Sequence, residues 1–165
     1  MTAERLIQLL DLTSHPEEGG FFRETYRSST RFEPGAPFAG ARSVGTAIYY
    51  LLTWDTYSAM HRLPGDEVFH FYLGDPVEML MLTPTGGSEL VVLGQDLAAG
   101  MKLQHVVPGG TWQGSRLVAG GAWALLGATM APGFEFADYV AGSADLLDAY
   151  SAHREMIREL LGGRS

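Results

Sequence analysis

Glycine and proline divide the chain into short apolar runs, and this punctuation limits its fold more than any other feature. The runs are "RSVGTAIYYLLTW" (42–54), "EVFHFYLG" (67–74), "PVEMLMLT" (76–83), "SELVVLG" (88–94), "LQHVVPGGTWQGS" (103–115), "GAWALLGATMAP" (121–132) and "FEFADYV" (134–140). They are rich in β-branched and aromatic residues, and turn signals such as Gly74-Asp75-Pro76 separate them. Strands broken by turns every ~8–12 residues predict an all-β, mainly antiparallel sandwich or barrel. No long amphipathic helix lies between the runs, which argues against a parallel βαβ sheet.

Two short helices are expected to bracket this body. The first covers about 3–11, with Leu6, Leu9 and Leu10 on one face, Thr2 as cap and His15-Pro16 past its end. The second runs from about Ala144 to Leu161. Ser143 is its expected N-cap, Asp145 lies in its first turn, Leu147, Tyr150, Ile157 and Leu161 form its apolar stripe, and "GGRS" stops it. No linker, repeat or low-complexity segment divides the 165 residues, so one domain spans 1–165, with the barrel at about 20–140.

Composition narrows the chemistry. There is no cysteine, which excludes disulfides, thiolate metal sites and a cysteine nucleophile. The formal net charge is −8, with only 11 lysines and arginines, so a nucleic-acid partner is not expected. The N-terminus has neither a basic n-region nor a long apolar h-region, and no apolar run approaches the ~20 residues of a membrane span. A cytoplasmic protein without a membrane partner is the expectation.

The stretch "SAMHRLPGDEVFHFYLGD" (58–75) carries the chemistry-bearing residues. His61, Glu67 and Gly74 have the spacing of the first cupin motif, with Leu63 in place of its second histidine. Downstream, "PGGTWQ" (108–113) resembles the second motif, with Gln113 where a histidine is usual. "HPEEGGFFRETYRS" (15–28), "TAIYYLLT" (46–53), "LGQDL" (93–97) and "APGFEFADY" (131–139) extend the likeness over about 15–140. The doubled Glu17-Glu18 departs from the single acidic residue expected there. The chain thus resembles the DUF985-like, small single-domain cupins described as predicted sugar epimerases. The resemblance implies a cupin jelly-roll barrel with short N- and C-terminal helices, and a metal-binding set with two of its four positions lost.

Two remaining donors are too few for a tight transition-metal site, so no cofactor is expected. A metal on His61 and Glu67 is the exception considered. Residue types and resemblance together point to acid–base chemistry on a small polar molecule, such as a keto-sugar or sugar-nucleotide. Proton abstraction beside a carbonyl needs a base near neutrality, an oxyanion donor and an acid. His61 is the expected base, and Glu67 its orienting partner or a second proton carrier. Tyr49 is the preferred acid and Tyr72 the alternative. Gln113 and Arg23 are candidate oxyanion binders, and Trp112 a stacking surface for a sugar or nucleobase. His70 is a further candidate, although strand alternation would turn it away from a Glu67 that points inward.

Structural readings compete with each assignment. His61 could be a satisfied core histidine, Glu67 could pair with Arg62 or Arg23, and Phe134 and Phe136 read as core. Two other functions also stay open: a barrel that only holds a small ligand, and a metal-dependent oxygenase or lyase with an unusual ligand set. A homodimer is expected, because exposed sheet edges need cover.

Overall fold

Side-chain alternation decides which way each strand faces, and here it builds two sheets around a shared interior. The structure is a computed structural model that describes residues 1–162. Helix α1 (Ala3–Leu10) leads to β1 (Thr13–Ser14), β2 (Phe21–Arg27), the small pair β3 (Arg31–Phe32) and β4 (Arg42–Ser43), and the long β5 (Thr46–Thr53). Next come β6 (Ser58–Arg62), β7 (Glu67–Gly74), β8 (Val77–Leu82), β9 (Ser88–Leu93), β10 (Gln104–Val107), β11 (Trp112–Leu117) and β12 (Trp123–Met130). Finally β13 (Val140–Ala141) precedes helices α2 (Asp145–Ala149) and α3 (Arg154–Leu160).

One sheet has six strands in the order β1-β2-β5-β12-β7-β10, and a second has five in the order β13-β6-β11-β8-β9. The named strands pair antiparallel throughout. Between the sheets, Tyr50, Leu52, Phe69, Phe71 and Leu126 of the first meet Val77, Met79, Met81 and Val91 of the second. The outer faces are partly covered. Leu6 and Leu12 of the N-terminal segment lie on Leu51 and Leu125, and Leu146, Ile157 and Leu160 lie on Met60, Leu80 and Leu82. Strand β5 is buried on both faces, which is why "TAIYYLLT" reads as a continuous apolar run. Among the described residues, no helix is long and apolar enough to cross a membrane.

The expected mainly antiparallel β fold with short terminal helices is present, but five details differ. Leu9 is 52% exposed, because a helix this short turns only Leu6 fully onto the sheet. The C-terminal helix is broken. Tyr150 leaves helical geometry (φ −129°, ψ 55°), its hydroxyl donates to the Thr83 carbonyl at 2.6 Å, and a 3₁₀ turn follows before α3. Ala144, not Ser143, takes the position before α2, and the Ser143 hydroxyl donates to the Asp145 carboxylate at 3.2 Å. Of the expected stop signal, Gly162 has φ +93°, while Gly163, Arg164 and Ser165 lie outside the described residues.

The other two differences shape the site. The run 103–115 is two strands, separated where Gly109 passes so close to the Pro64 carbonyl that a Cβ would sit 2.3 Å from its oxygen. The run 134–140 is not a strand. It holds a 3₁₀ turn (Phe136–Asp138) and only then joins β6 through β13. Asp138 anchors that turn on the buried Arg42, and Phe136 lies near His15 rather than in the main core, with 49% of its surface exposed.

Candidate functional site

A cavity of about 60 Å³ lies between the sheets at one end of the barrel, beneath the 3₁₀ turn. His61 of β6 and Glu67 of β7 enter it from consecutive strands in opposite sheets, and Gln113 of β11 pairs in register with His61. The Gln113 amide donates to the Glu67 carboxylate at 2.7 Å, and all three side chains are buried. The His61 Nδ1–H donates to the Ala59 carbonyl at 2.7 Å. A carbonyl can only accept, so neutral His61 carries its proton on Nδ1 and keeps a lone pair on Nε2.

The loop before β2 supplies a second pair. His15 and Glu18 both line the cavity. His15 Nδ1 accepts the Glu18 backbone N–H at 2.9 Å, which leaves Nε2 facing the Glu18 carboxylate at 3.8 Å. The other Glu18 oxygen accepts from the Ser58 hydroxyl, placed there by the register shift between β6 and β11. The doubled acidic pair is thereby divided: Glu18 turns inward, while Glu17 offers its backbone N–H to His15 Nδ1 at 3.4 Å. Tyr139 closes one side, its ring stacked on His61 with centroids 5.0 Å apart. At the mouth, Arg27 binds the carboxylates of Glu24 and Glu135 and the Phe134 carbonyl.

Burial governs the proton affinities. It raises Glu67 from 4.5 to about 7, with the nearby Glu18 charge adding to the rise, while His61 and the Gln113 hydrogen bond oppose it. Burial lowers His15, although Glu18 and Glu17 work the other way and His61 adds to the lowering. Burial, Glu18 and Glu17 together raise Tyr139, and burial lifts Tyr50 well above the usual phenol range.

Of the residues singled out from sequence, His61, Glu67 and Gln113 converge. The other five do not reach the cavity. Tyr49 alternates with Ile48 and Tyr50, which face inward, and so lies on the outer face of the six-stranded sheet. On that same face Arg23 sits over the Tyr49 ring at 5.8 Å, and Tyr72 meets Tyr49 edge-on at 6.0 Å. His70 stacks on Tyr72 and bonds Thr129 and Gln104, at 3.1 Å each. Trp112 lies outside the other sheet, its ring under the Arg62 guanidinium at 4.8 Å. Glu67 pairs with neither Arg62 nor Arg23. His15, Glu18 and Tyr139 are the cavity residues that sequence reasoning passed over. "HPEE" offered a concentration of ionisable groups, but a loop has no periodicity from which to read its facing.

Leu63 and Gln113 hold the positions of two cupin ligands, and no group of three or more histidine, aspartate or glutamate side chains converges on a metal position among the described residues.

Two antiparallel sheets around a polar-ended interior, with short terminal helices, define a cupin barrel. Within that class the chain belongs to the Cupin superfamily family DUF985 (Cupin_5), whose model matches residues 4–141. It is 30% identical over 147 residues to the uncharacterized protein YML079W of Saccharomyces cerevisiae, spanning 82% of this chain and 73% of that one. A solved protein from Shewanella oneidensis is 36% identical, with TM-score 0.86 and 97% of each chain covered. A hypothetical protein from Leishmania major is 30% identical, with TM-score 0.87, covering 96% of this chain and 98% of that one. A dTDP sugar isomerase from Desulfovibrio desulfuricans, 14% identical with TM-score 0.53 over 76% of this chain and 83% of its own, shares the fold.

Proposed function

We propose that the cavity binds a small polar molecule and moves a proton on it, as a keto-sugar epimerase or isomerase would. The carrying observation is Glu67, a buried carboxyl with its proton affinity raised to about 7, beside a histidine whose Nε2 is free. A carboxyl with that affinity exchanges protons at neutral pH without a large energetic cost. His61 takes the proton from carbon, Glu67 accepts or returns one, and the Gln113 amide holds the Glu67 carboxyl in place. The outward placement of Tyr49 removes it as the acid, and the groups lining the cavity that can replace it are Tyr139 and the His15–Glu18 pair. The distant likeness to a sugar isomerase is one of fold and adds nothing to the choice of substrate.

The test is solvent exchange. Keto-sugars and their nucleotide-linked forms, incubated with the protein in D₂O, are followed by ¹H NMR. His61→Asn is expected to slow C–H exchange by about 10²–10⁴-fold with the thermal transition unchanged, the usual range for loss of a general base. Thermal stabilisation by such a compound, without exchange in any of them, would favour a barrel that only holds its ligand.

We also propose that the outer face of the six-stranded sheet joins two copies of the chain. Tyr72, Leu73 and Val106 on β7 and β10 are 41%, 48% and 44% exposed, and the Arg23 Nε is buried there without a partner. Light scattering at micromolar concentration is expected to give twice the 17.9 kDa chain mass. A single species at the chain mass would refute the pairing.

A further inference from the structure

Glu18, Glu24 and Glu67 line the cavity, and the one arginine at its mouth among the described residues, Arg27, already binds two carboxylates. Its volume is about 60 Å³. An anionic group placed inside would meet like charge without an available counter-ion, whereas a carbonyl or hydroxyl head would not.

Next to the cavity lies an open groove of about 470 Å³. Leu63 lines both spaces, and the consecutive residues Asp138 and Tyr139 line the groove and the cavity respectively. The charge balance in the groove is the reverse of that in the cavity. Its acid, Asp138, is neutralised by Arg42 from beneath. Its base, Arg62, is exposed and has no carboxylate partner among the described residues. The Trp112 ring supports the Arg62 guanidinium at 4.8 Å, which leaves the N–H edges of the fork free for an oxyanion. Asp66, on the adjoining turn, has one carboxylate oxygen occupied by the Gly109 N–H at 2.8 Å. In a chain with 19 acidic and 11 basic side chains, a free arginine beside a groove is the place where an anion finds a complement.

We propose that this groove holds the anionic arm, a phosphate or carboxylate, of a ligand whose uncharged head enters the cavity, with Arg62 as the anchor. The inference rests on the reading of the cavity as the ligand site. It assigns a substrate class: a polar ring or carbonyl compound bearing an anionic extension.

Pyrophosphate and malonate, titrated separately into the ¹⁵N-labelled full chain, test the anchor alone. Both the Trp112 indole N–H and the Gly110 amide should shift saturably with at least one of the two, and the one that does identifies the arm. Arg62→Ala should weaken that binding at least tenfold, and Arg62→Lys should restore only part of it, since an ammonium lacks the fork. Arg62 is exposed, so neither substitution threatens folding. Equal titrations in wild type and Arg62→Ala, or shifts at neither reporter, would overturn the proposal. Anion binding as expected, with no C–H exchange in any sugar, would leave the groove standing and remove the proton-transfer reading. Exchange without Arg62-dependent anion binding would remove the groove alone.

Discussion

Asp138→Ala is expected to cost about 3–5 kcal/mol of folding stability, the loss typical when one member of a buried ion pair is removed. The Arg42 side chain is 3% exposed and that of Asp138 7%. Their contact is bidentate: Arg42 Nη2 donates to Asp138 Oδ1 at 2.7 Å and Nη1 to Oδ2. Without the carboxylate, the buried guanidinium keeps only the Ala39 carbonyl at 3.3 Å and the face of Phe38 at 5.6 Å. The loss should therefore exceed that of any surface pair here; breaking Arg154–Asp148, with side chains 47% and 88% exposed, should cost under about 1 kcal/mol. Asp138 also precedes Tyr139, so its removal frees the turn that stacks Tyr139 on His61. Urea unfolding of Asp138→Ala measures the first effect, and a loss below about 1 kcal/mol would show that Arg42 reaches water. The paired replacement Arg42→Met with Asp138→Leu should recover most of the stability, because it leaves no buried charge unpaired.

The run 134–140 is also where sequence reasoning and structure part most clearly. Its alternating Phe134, Phe136 and Asp138 suit a strand, but local pattern carries no information about Arg42, 96 residues away, which draws the turn down. Where period-two alternation operated, the reading was sound. With Glu67 inward, Phe69 and Phe71 had to be core and His70 had to face out, and the structure has that arrangement. The same rule, carried two residues further, places Tyr72 outside with His70. Applied to the doubly buried β5, it could not choose between Tyr49 and Tyr50, because both faces of that strand are apolar. The motif residues His61, Glu67 and Gln113 were legible because their spacing follows the two cupin motifs: His61 and Gln113 pair in register, and Glu67 meets Gln113 from the other sheet. His15 and Glu18 were not, because their facing depends on a loop whose conformation is set by contacts with β6. The break at Tyr150 has a similar origin: an amphipathic stripe continues through it, and only the Thr83 carbonyl on the facing sheet explains why the helix stops.

Glu67→Gln should leave stability unchanged near pH 4.5 and raise it progressively to about 3 kcal/mol by pH 8. The Glu67 proton affinity rises on folding, from 4.5 to about 7, so between these values the native state binds more protons than the unfolded chain. Stability attributable to this group is full below 4.5, falls as pH rises, and is lost above about 7, at ~1.36 kcal/mol for each unit of difference. Glutamine mimics the protonated carboxyl, accepts the same Gln113 amide hydrogen bond and carries no charge to desolvate. The variant therefore escapes the loss. His15 titrates with the opposite sign. Its affinity is lowered in the native state, so its contribution is present above about 6.5, the usual histidine value, and declines as pH falls. The wild-type curve alone mixes the two slopes, whereas the difference between wild type and Glu67→Gln isolates the carboxyl. Urea unfolding at several values between pH 4.5 and 8 gives that difference, and a constant offset across the range would mean that Glu67 ionises without penalty. The same variant should lose C–H exchange, since an amide cannot carry the proton. A substitution that strengthens the fold at neutral pH while abolishing activity is the signature of a carboxyl kept buried for chemistry rather than for stability.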